Sequence, residues 1–204
     1  MATTGSGRSA IRVAQAWIAL QSEDPEAVSA LAVARSRLAA GDEIAGLSRL
    51  RLIELRGPLP TRPRLERLLH GSIQFYNPHK ERCSVRTTAR ETGPAMTGRH
   101  VVVVTERGGE RRPAAERWWQ NETGSRIEVR EGTAWVIELA PDLGFVLDDL
   151  VTVRDRRHGL LCHPRSQEAR VASGRIPLPW ISPPPAEIDG MSAPMSPSAE
   201  GSIA

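Results

Sequence analysis

The chain has 204 residues, of which 40% are apolar and 25% are charged, and this composition predicts a folded domain with an ordinary hydrophobic core. The formal net charge of +3 is only mildly basic, the two cysteines form no CxxC pair, and no uncharged apolar run reaches about 18 residues. These features exclude a disulfide framework and a membrane span. No charged segment followed by an apolar one occurs at the start, which favours a cytoplasmic protein.

Arginine supplies nearly all of the positive charge, since Lys80 is the single lysine. Guanidinium groups make bidentate bonds to phosphates and carboxylates, which is one reason for such a preference. A genome rich in G and C also favours arginine codons over lysine codons. The second explanation is preferred, because acidic residues are interspersed with the arginines along the chain.

A helical hairpin is predicted over residues 9–45, after a disordered start at 1–8. Asp24 and Pro25 suit the N-cap and the first position of its second helix, which is expected to end before Gly41. In the first helix, the side chains of one face recur at three- and four-residue steps. This stripe consists of Ile11, Ala14, Trp17, Ile18 and Gln21.

Residues 46–181 are expected to form an α/β (α+β) domain with a mixed or antiparallel sheet. The segment Leu50–Leu55 is compatible with a strand or with a helical turn, and periodicity alone leaves both open. A short helix is expected from Thr61 to His70, with Gly71 as its C-terminal cap. It is followed by a predicted strand at 72–76, a turn at Asn77-Pro78 and extended chain at 83–87.

The second part of this domain contains the strongest strand signal, a run of valines at 100–104 that is typical of a strand buried on both faces. After residue 181 the composition changes to Ser, Pro, Ala and Gly, which predicts a disordered tail at 182–204. Between them the patterns predict a helix at 113–120, a hairpin of strands 126–130 and 133–139 around Glu131-Gly132, an ambiguous segment at 143–154 and a strand at 168–172.

A short pattern occurs twice in the domain. Its first copy has His70-Gly71 followed by Pro78, Glu81 and Val85, and its second has His158-Gly159 followed by Pro164, Glu168 and Val171. The proline and the valine are equally spaced in both copies. Two readings stay open: a chance similarity of a few positions, or two related halves at 46–98 and 99–181. Related halves would naturally form a ferredoxin-like arrangement, with helices on one face of an antiparallel sheet.

These junctions also resemble a known family. A leucine pair, then Asn77-Pro78, then Glu81 is similar to the helix-to-strand junction of the small ferredoxin-like subunit of phosphoribosylformylglycinamidine synthase. In the second copy His163-Pro164 and Glu168 stand at the corresponding places. The resemblance covers these junctions and implies a non-catalytic partner of a larger enzyme.

The densest polar cluster surrounds the first proline turn. A thiolate beside cations has a lowered pKa, so Cys83 with His79 as its base is a candidate nucleophile. Turns also collect solvated polar residues, and no third group orients His79. An ordinary turn is therefore preferred to a binding site, and a binding site to catalysis. The cluster consists of Tyr76, Asn77, His79, Lys80, Glu81, Arg82 and Cys83.

The second proline turn carries Cys162-His163, with His158 nearby, and these residues are further binding candidates. Together with His79 and Cys83 they would supply two cysteines and two histidines to zinc. Adjacent side chains rarely converge on one ion, so a buried cysteine and a turn histidine are preferred. No metal and no cofactor is predicted.

Two other features suggest contact surfaces. Trp118 and Trp119 are neighbours on a predicted helix and point about 100° apart. Packing of both against Trp135 is preferred to an exposed aromatic anchor, for which Trp118 is the candidate. The stretch 49–67 holds six arginines and two acidic residues, a charge that would attract nucleic acid, but it lacks interleaved aromatic residues and lysines.

These features favour a non-enzymatic accessory or assembly subunit of a larger cytoplasmic complex, whose partner is another protein or a second copy of the chain. The reasons are the absent catalytic constellation, the helical arm and the tail. One alternative is a small enzyme or ligand-binding protein whose site forms where the two proline turns meet. The other is a weak nucleic-acid binder that uses residues 49–67.

Overall fold

A computed structural model of the chain describes residues 12–93, 100–108, 111–139 and 146–182. The described residues form one six-stranded sheet and four α-helices. In chain order these are β1 (Arg12–Leu20), α1 (Pro25–Arg37), β2 (Ile44–Gly57), α2 (Arg62–His70), β3 (Glu81–Arg86), β4 (His100–Glu106), α3 (Pro113–Thr123), β5 (Glu128–Leu139), α4 (Val146–Val151) and β6 (Gln167–Ser173).

The strand order is β3-β1-β2-β5-β4-β6, and all neighbouring strands are antiparallel. The predicted α/β class with an antiparallel sheet is therefore confirmed. None of the described helices is long and apolar enough to cross a membrane. The predicted disordered segments at 1–8 and 182–204 lie outside the described residues except for Ser182, which is buried and hydrogen-bonded rather than disordered.

The predicted helical hairpin is wrong, because its first arm is the strand β1. Ala14, Ala16 and Ile18 of β1 pack on the helical face of the sheet, whereas Gln15 and Trp17 are buried on the opposite face. Since both faces of this strand are covered, its sequence shows no polar alternation. The helical stripe arises because apolar residues occur on both faces.

The residues that begin the helix α1 agree with the prediction. The Asp24 carboxylate accepts the backbone N–H of Glu26 at 2.9 Å, and Pro25 is the first residue of α1, as expected. Helix α3 ends at Gly124, whose φ of +72° is a conformation that favours glycine. The undecided segment Leu50–Leu55 is a strand, in the middle of β2.

Two predicted strand assignments are wrong. Residues 72–76 form consecutive turns rather than a strand. Residues 128–139 form one continuous strand, so Glu131-Gly132 is not a hairpin turn. Gly132 instead lies against β4, where a Cβ would come within 2.9 Å of the Thr105 Cγ2 and 3.1 Å of the Val103 Cγ1.

The described chain consists of two halves with the same topology. Strands β1, β2 and β3 with α1 and α2 repeat as β4, β5 and β6 with α3 and α4, and an approximate two-fold axis passes between β2 and β5. The first half therefore begins at β1 and not at residue 46. Each half has three strands, so the predicted ferredoxin-like halves are not confirmed.

The two proline turns are equivalent in this symmetry. In the first, the N–H of Asn77 donates to the Glu81 carboxylate, and in the second the N–H of His163 donates to the Gln167 side chain. The carbonyl of each turn residue also accepts from the backbone N–H of its partner, at 2.8 and 2.9 Å. The repeated pattern in the sequence thus marks equivalent positions, although the counterpart of Glu81 is Gln167 and not Glu168.

Alternation along the strands places all four described helices on one face of the sheet, over two apolar clusters. The first cluster joins α2 of one half to α3 of the other, through Leu65, Leu69 and Trp119. The second joins α4 to α1, through Leu150 and Ala34. Each cluster therefore contains a helix from both halves, which binds the halves into one body.

The opposite face of the sheet is covered by residues 174–182, which we call the strap. Ile176, Trp180 and Ile181 of the strap pack on the apolar centre of this face. At its end, the fully buried Glu54 carboxylate accepts the backbone N–H groups of Trp180 and Ser182 at 2.8 and 2.7 Å, and more weakly that of Ile181. This carboxylate fixes the strap to β2.

The start of the strap is held by a second buried polar side chain. Arg86 is 2% exposed and donates to the carbonyl of Ile176 at 2.8 Å. Gln15 lies between the two ends, because it accepts from Arg86 at 3.0 Å and donates to Glu54 at 3.0 Å. Arg86, Gln15 and Glu54 thus form one row across β3, β1 and β2.

We expect Glu54→Gln to lower the free energy of unfolding by about 3 kcal/mol, because a neutral amide offers one acceptor oxygen where the carboxylate offers two and leaves buried N–H groups of the strap unpaired. Urea unfolding followed by tryptophan fluorescence measures this change. Glu66→Gln on the half-exposed face of α2 is the control, with little expected effect. Equal stabilities of the two variants would show that the strap does not depend on the carboxylate.

We also expect Gly132→Ala to destabilise the sheet by about 1 to 3 kcal/mol, because the added methyl group collides with β4. Gly46→Ala is the matched control in β2, since its Cβ would meet the flexible Glu138 side chain. Thermal unfolding distinguishes the two variants. A wild-type melting temperature for Gly132→Ala would contradict the observed close packing of β5 on β4.

Candidate functional site

The first proline turn holds most of the predicted binding residues. Asn77 Oδ1 accepts the backbone N–H of His79 at 3.0 Å, and Glu81 Oε2 accepts that of Asn77 at 2.6 Å. These bonds use the polar atoms to close the turn on itself. The side chains of His79, Lys80 and Arg82 are exposed.

Tyr76 belongs to the core and not to the surface of this turn. It is 8% exposed, and its hydroxyl lies 2.9 Å from His70 Nδ1. Burial raises the pKa of the Tyr76 hydroxyl above its ordinary value. His70 therefore satisfies a buried phenol, which is a structural role for both side chains.

Glu81 is part of an ion cluster at the centre of the helical face. Its carboxylate accepts from Arg51 at 3.0 Å, and Arg51 also donates to Glu131 at 2.8 Å and to the carbonyl of Phe75 at 2.9 Å. Arg112 forms a second ion pair with Glu131. Burial lowers the pKa of the Arg51 guanidinium, but the bonds to Glu131 and Glu81 outweigh it and raise that pKa. The cluster neutralises itself, so it fixes the turn against the sheet.

The second proline turn has similar local bonds. His163 is exposed, and its Nδ1 lies 3.1 Å from the Ser166 hydroxyl oxygen. The Nδ1 of His158 lies 2.9 Å from the Asp155 carboxylate. Cys162 is buried. Among the described residues, neither histidine forms a hydrogen bond with the Cys162 thiol.

The structure keeps the two proline turns apart. They lead into β3 and β6, which are the two edges of the sheet, and five strand spacings of about 4.8 Å separate those edges by roughly 24 Å. The predicted cleft between His79 and His163 is therefore not formed. In the described ranges no group of three or more His, Cys, Asp and Glu side chains is placed to hold a metal ion.

Trp118 and Trp119 pack on a different partner from the one predicted. Both make edge-on contacts with Phe75, at centroid distances of 5.6 and 6.2 Å, whereas Trp135 lies in the other apolar cluster. Trp119 is fully buried and Trp118 is half-buried. Trp119 is therefore a core residue, and Trp118 lies partly in the core and partly at the surface.

The arginines of residues 49–67 do not form one basic surface. Arg49 pairs with Asp24, and Arg51 belongs to the ion cluster, both on the helical face of β2. Arg62 pairs with Glu66 at 2.9 Å on α2. Strand and helix thus separate the six charges and supply acids to several of them.

A groove that the sequence analysis did not predict lies beside β2. Pairing between β1 and β2 ends at Ile18 opposite Arg51, so residues 44–50 of β2 have β5 on one side and no strand on the other. Helix α1 runs along this open edge and leaves a cavity of about 640 Å³. The cavity is lined by Leu20, Ser22, Glu23 and Asp24 at one end, by Ala27, Val28, Leu31, Ala32 and Arg35 of α1, by Leu47, Ser48, Arg49 and Leu50 of β2, and by Ala19 and Val136.

The register shows which backbone groups of β2 face this groove. At the other end of the same ladder, the N–H of Val129 in β5 donates to the Glu116 side chain, and its C=O accepts from the N–H of Arg112. Both backbone groups of Val129 therefore point away from β2. In an antiparallel ladder residues two apart point the same way, and the pairing runs without a shift from Gly46 to Arg56. Leu47 and Arg49 therefore direct their N–H and C=O groups into the groove.

These four backbone groups are open to a ligand. In the described part of the chain no loop and no side chain bonds to the backbone of Leu47 or Arg49. Arg35 binds the neighbouring carbonyls of Ile44 and Ala45, at 3.1 and 2.9 Å, and so closes the far end of the edge. Val28 is 46% exposed on the opposite wall. The groove thus combines an unpaired strand edge with an apolar helix.

The signal for this groove lies in the comparison of the two halves. The connection from Gln21 to Pro25 holds three residues, whereas the equivalent connection from Arg107 to Pro113 holds five. Gln21 and Arg107 are equivalent because the backbone N–H of each donates to the carbonyl of the residue before the edge strand, which is Lys80 or Ser166. An alignment of the halves on their prolines would have shown the shorter connection.

No protein-family model, no curated protein and no solved structure matches the chain. The resemblance to the small subunit of the synthase therefore stays a prediction.

We expect Cys83 to be unreactive in the folded protein, because burial raises the pKa of its thiol from 9.0 to about 12. At pH 8 the thiolate fraction is then small, and iodoacetamide should label Cys83 at least about a hundredfold more slowly than a peptide cysteine. The rate should rise as the pH approaches 12. Mass spectrometry after timed labelling measures it, with the urea-unfolded chain as control. Rapid labelling of the folded protein at pH 8 would contradict this expectation and support the hypothesis that Cys83 is a nucleophile.

Proposed function

We propose that the protein is a non-enzymatic accessory or assembly subunit that binds an extended segment of a partner protein in the groove between α1 and β2. The observation that carries this proposal is the open edge of β2 at 44–50, which ends in a cavity of about 640 Å³. Edges of this kind bind peptides by strand addition, in which backbone bonds give affinity and side-chain pockets give specificity.

The open edge supplies the backbone part of such an interaction. Leu47 and Arg49 each offer one N–H and one C=O with the spacing of a strand. Exposed edges of this kind pair with foreign chains unless they are short, charged or covered. The two outer edges of the sheet are charged, with Glu81 and Arg82 on β3 and Glu168 and Arg170 on β6. The edge beside α1 is therefore the better template.

Helix α1 supplies the side-chain part. Val28, Leu31 and Ala32 line one wall of the groove, and Leu47 and Leu50 line the other. The cavity is within the range of about 300 to 1,000 Å³ that is usual for ligand clefts. Apolar side chains of a bound segment would be removed from water here, which adds to the backbone bonds.

We expect the full chain to enrich peptides from a displayed library of random heptamers, with apolar residues at alternate positions. Ala32→Trp should abolish this enrichment, because Ala32 is an exposed residue of α1 that lines the groove and an indole would fill the space. Titration of the enriched peptides by fluorescence anisotropy measures the loss.

Ser36→Trp is the matched control, since Ser36 is exposed on the same helix outside the groove. This variant should bind as the wild type does, and circular dichroism should show both variants folded. No enrichment by the wild-type chain would overturn the proposed function. Equal binding by the two variants would place the peptide site elsewhere.

A further inference from the structure

We infer that the segment bound in the groove runs antiparallel to β2, with a basic residue towards its N-terminal end and an acidic residue towards its C-terminal end. This inference rests on the proposed function and names the chemistry of the partner. Its basis is the second half of the chain, in which the equivalent edge is already occupied.

In the second half, the chain itself covers the edge of β5. Arg111 forms an antiparallel bridge with Arg130, and the N–H of Arg112 donates to the carbonyl of Val129 at 2.9 Å. The N–H of Val129 in turn donates to the Glu116 carboxylate at 2.9 Å. A short extended segment and one acidic side chain therefore satisfy this edge.

The first half has the same edge without the cover. Ile18 is equivalent to Val104, since each stands three residues before Gln21 or Arg107, so their strand partners Arg51 and Thr133 are also equivalent. Leu47 and Val129 each stand four residues before those partners and therefore correspond. Both helices begin with a proline, Pro25 or Pro113, so Glu116 corresponds to Val28. Valine cannot accept a hydrogen bond, and Leu47 is left open where Val129 is satisfied.

The difference has a cause in the length of the chain. The connection before α1 is two residues shorter than the one before α3. Two residues, 111 and 112, are what the second half uses to pair with the edge of β5, so the first half lacks the length for this pairing. Residues 22–24 lead directly into α1, and no bridge to β2 forms in them. The groove is thus the place of a missing strand segment, and the segment that fits is antiparallel, as 111–112 is.

The charges at the two ends of the groove predict which charged side chains the bound segment carries at each of its ends. Glu23 is exposed at the end where β1 stops, and among the described residues it has no ionic partner, whereas Asp24 is paired with Arg49. Arg35 lies at the opposite end, beside Ile44. A segment antiparallel to β2 enters at the Glu23 end, so its first residues meet an acid and its last residues meet a base.

Val28→Glu tests this inference, because it restores the acceptor that Glu116 provides in the other half. In the free protein, hydrogen–deuterium exchange at the Leu47 amide should slow about tenfold, as one hydrogen bond does. Affinity for the enriched peptides should fall at least about tenfold. Val28→Lys has a long side chain without an acceptor, and it should leave exchange at Leu47 unchanged.

The enriched peptides test the direction. Lysine or arginine before the apolar positions and aspartate or glutamate after them supports the antiparallel assignment, and the reverse order overturns it. Unchanged exchange at Leu47 in Val28→Glu would overturn the equivalence of the two edges. If slow Leu47 exchange already occurs in the wild type, an occupant from the chain itself holds the groove and a partner segment does not. Absence of any enriched peptide, with the expected exchange result, would reject the proposed function alone.

Discussion

The buried carboxylate of Glu54 is the contact on which the two-sided burial of this sheet depends. One side chain of β2 accepts backbone N–H groups from residues 180–182, and a row of hydrogen bonds through Gln15 reaches Arg86. An acid in this place is costly to desolvate, and it is tolerated because donors surround it. The strap that it fixes covers the apolar centre formed by Trp17 and Leu52.

The covered face explains why the helices can all lie on the other side. A single layer of helices must bury one face of six strands, and each apolar cluster does so by combining helices from both halves. The two halves are therefore not independent domains. Each half lacks part of its own core, and the continuous pairing of β2 with β5 provides the rest. The open edge beside α1 follows from the same arrangement, because a small difference in one connection leaves the strand end bare.

Much of the local structure could be predicted from the sequence, and the errors share a cause. Asp24, Pro25 and Gly71 mark helix ends through local chemistry, so they can be predicted without tertiary information. β1 was mistaken for a helix because both of its faces are buried, and Glu131-Gly132 was mistaken for a turn because close packing and chain reversal both favour glycine. The candidate site was missed because it has no motif. It is defined by backbone groups that remain unpaired, and these appear only when the register of the strands is known.

The ion pairs across the two-fold axis also decide which halves can join. Arg49 of the first half corresponds to Glu131 of the second, so the salt bridge between Arg51 and Glu131 unites unlike surfaces. If two first halves paired through β2 in the same way, Arg51 would meet the Arg49 of its copy, and like charges on adjacent strands repel. The seam is therefore heterotypic, as in an obligate heterodimer whose subunits have been fused. Exchange between two molecules would have to be reciprocal, with each first half finding a second half.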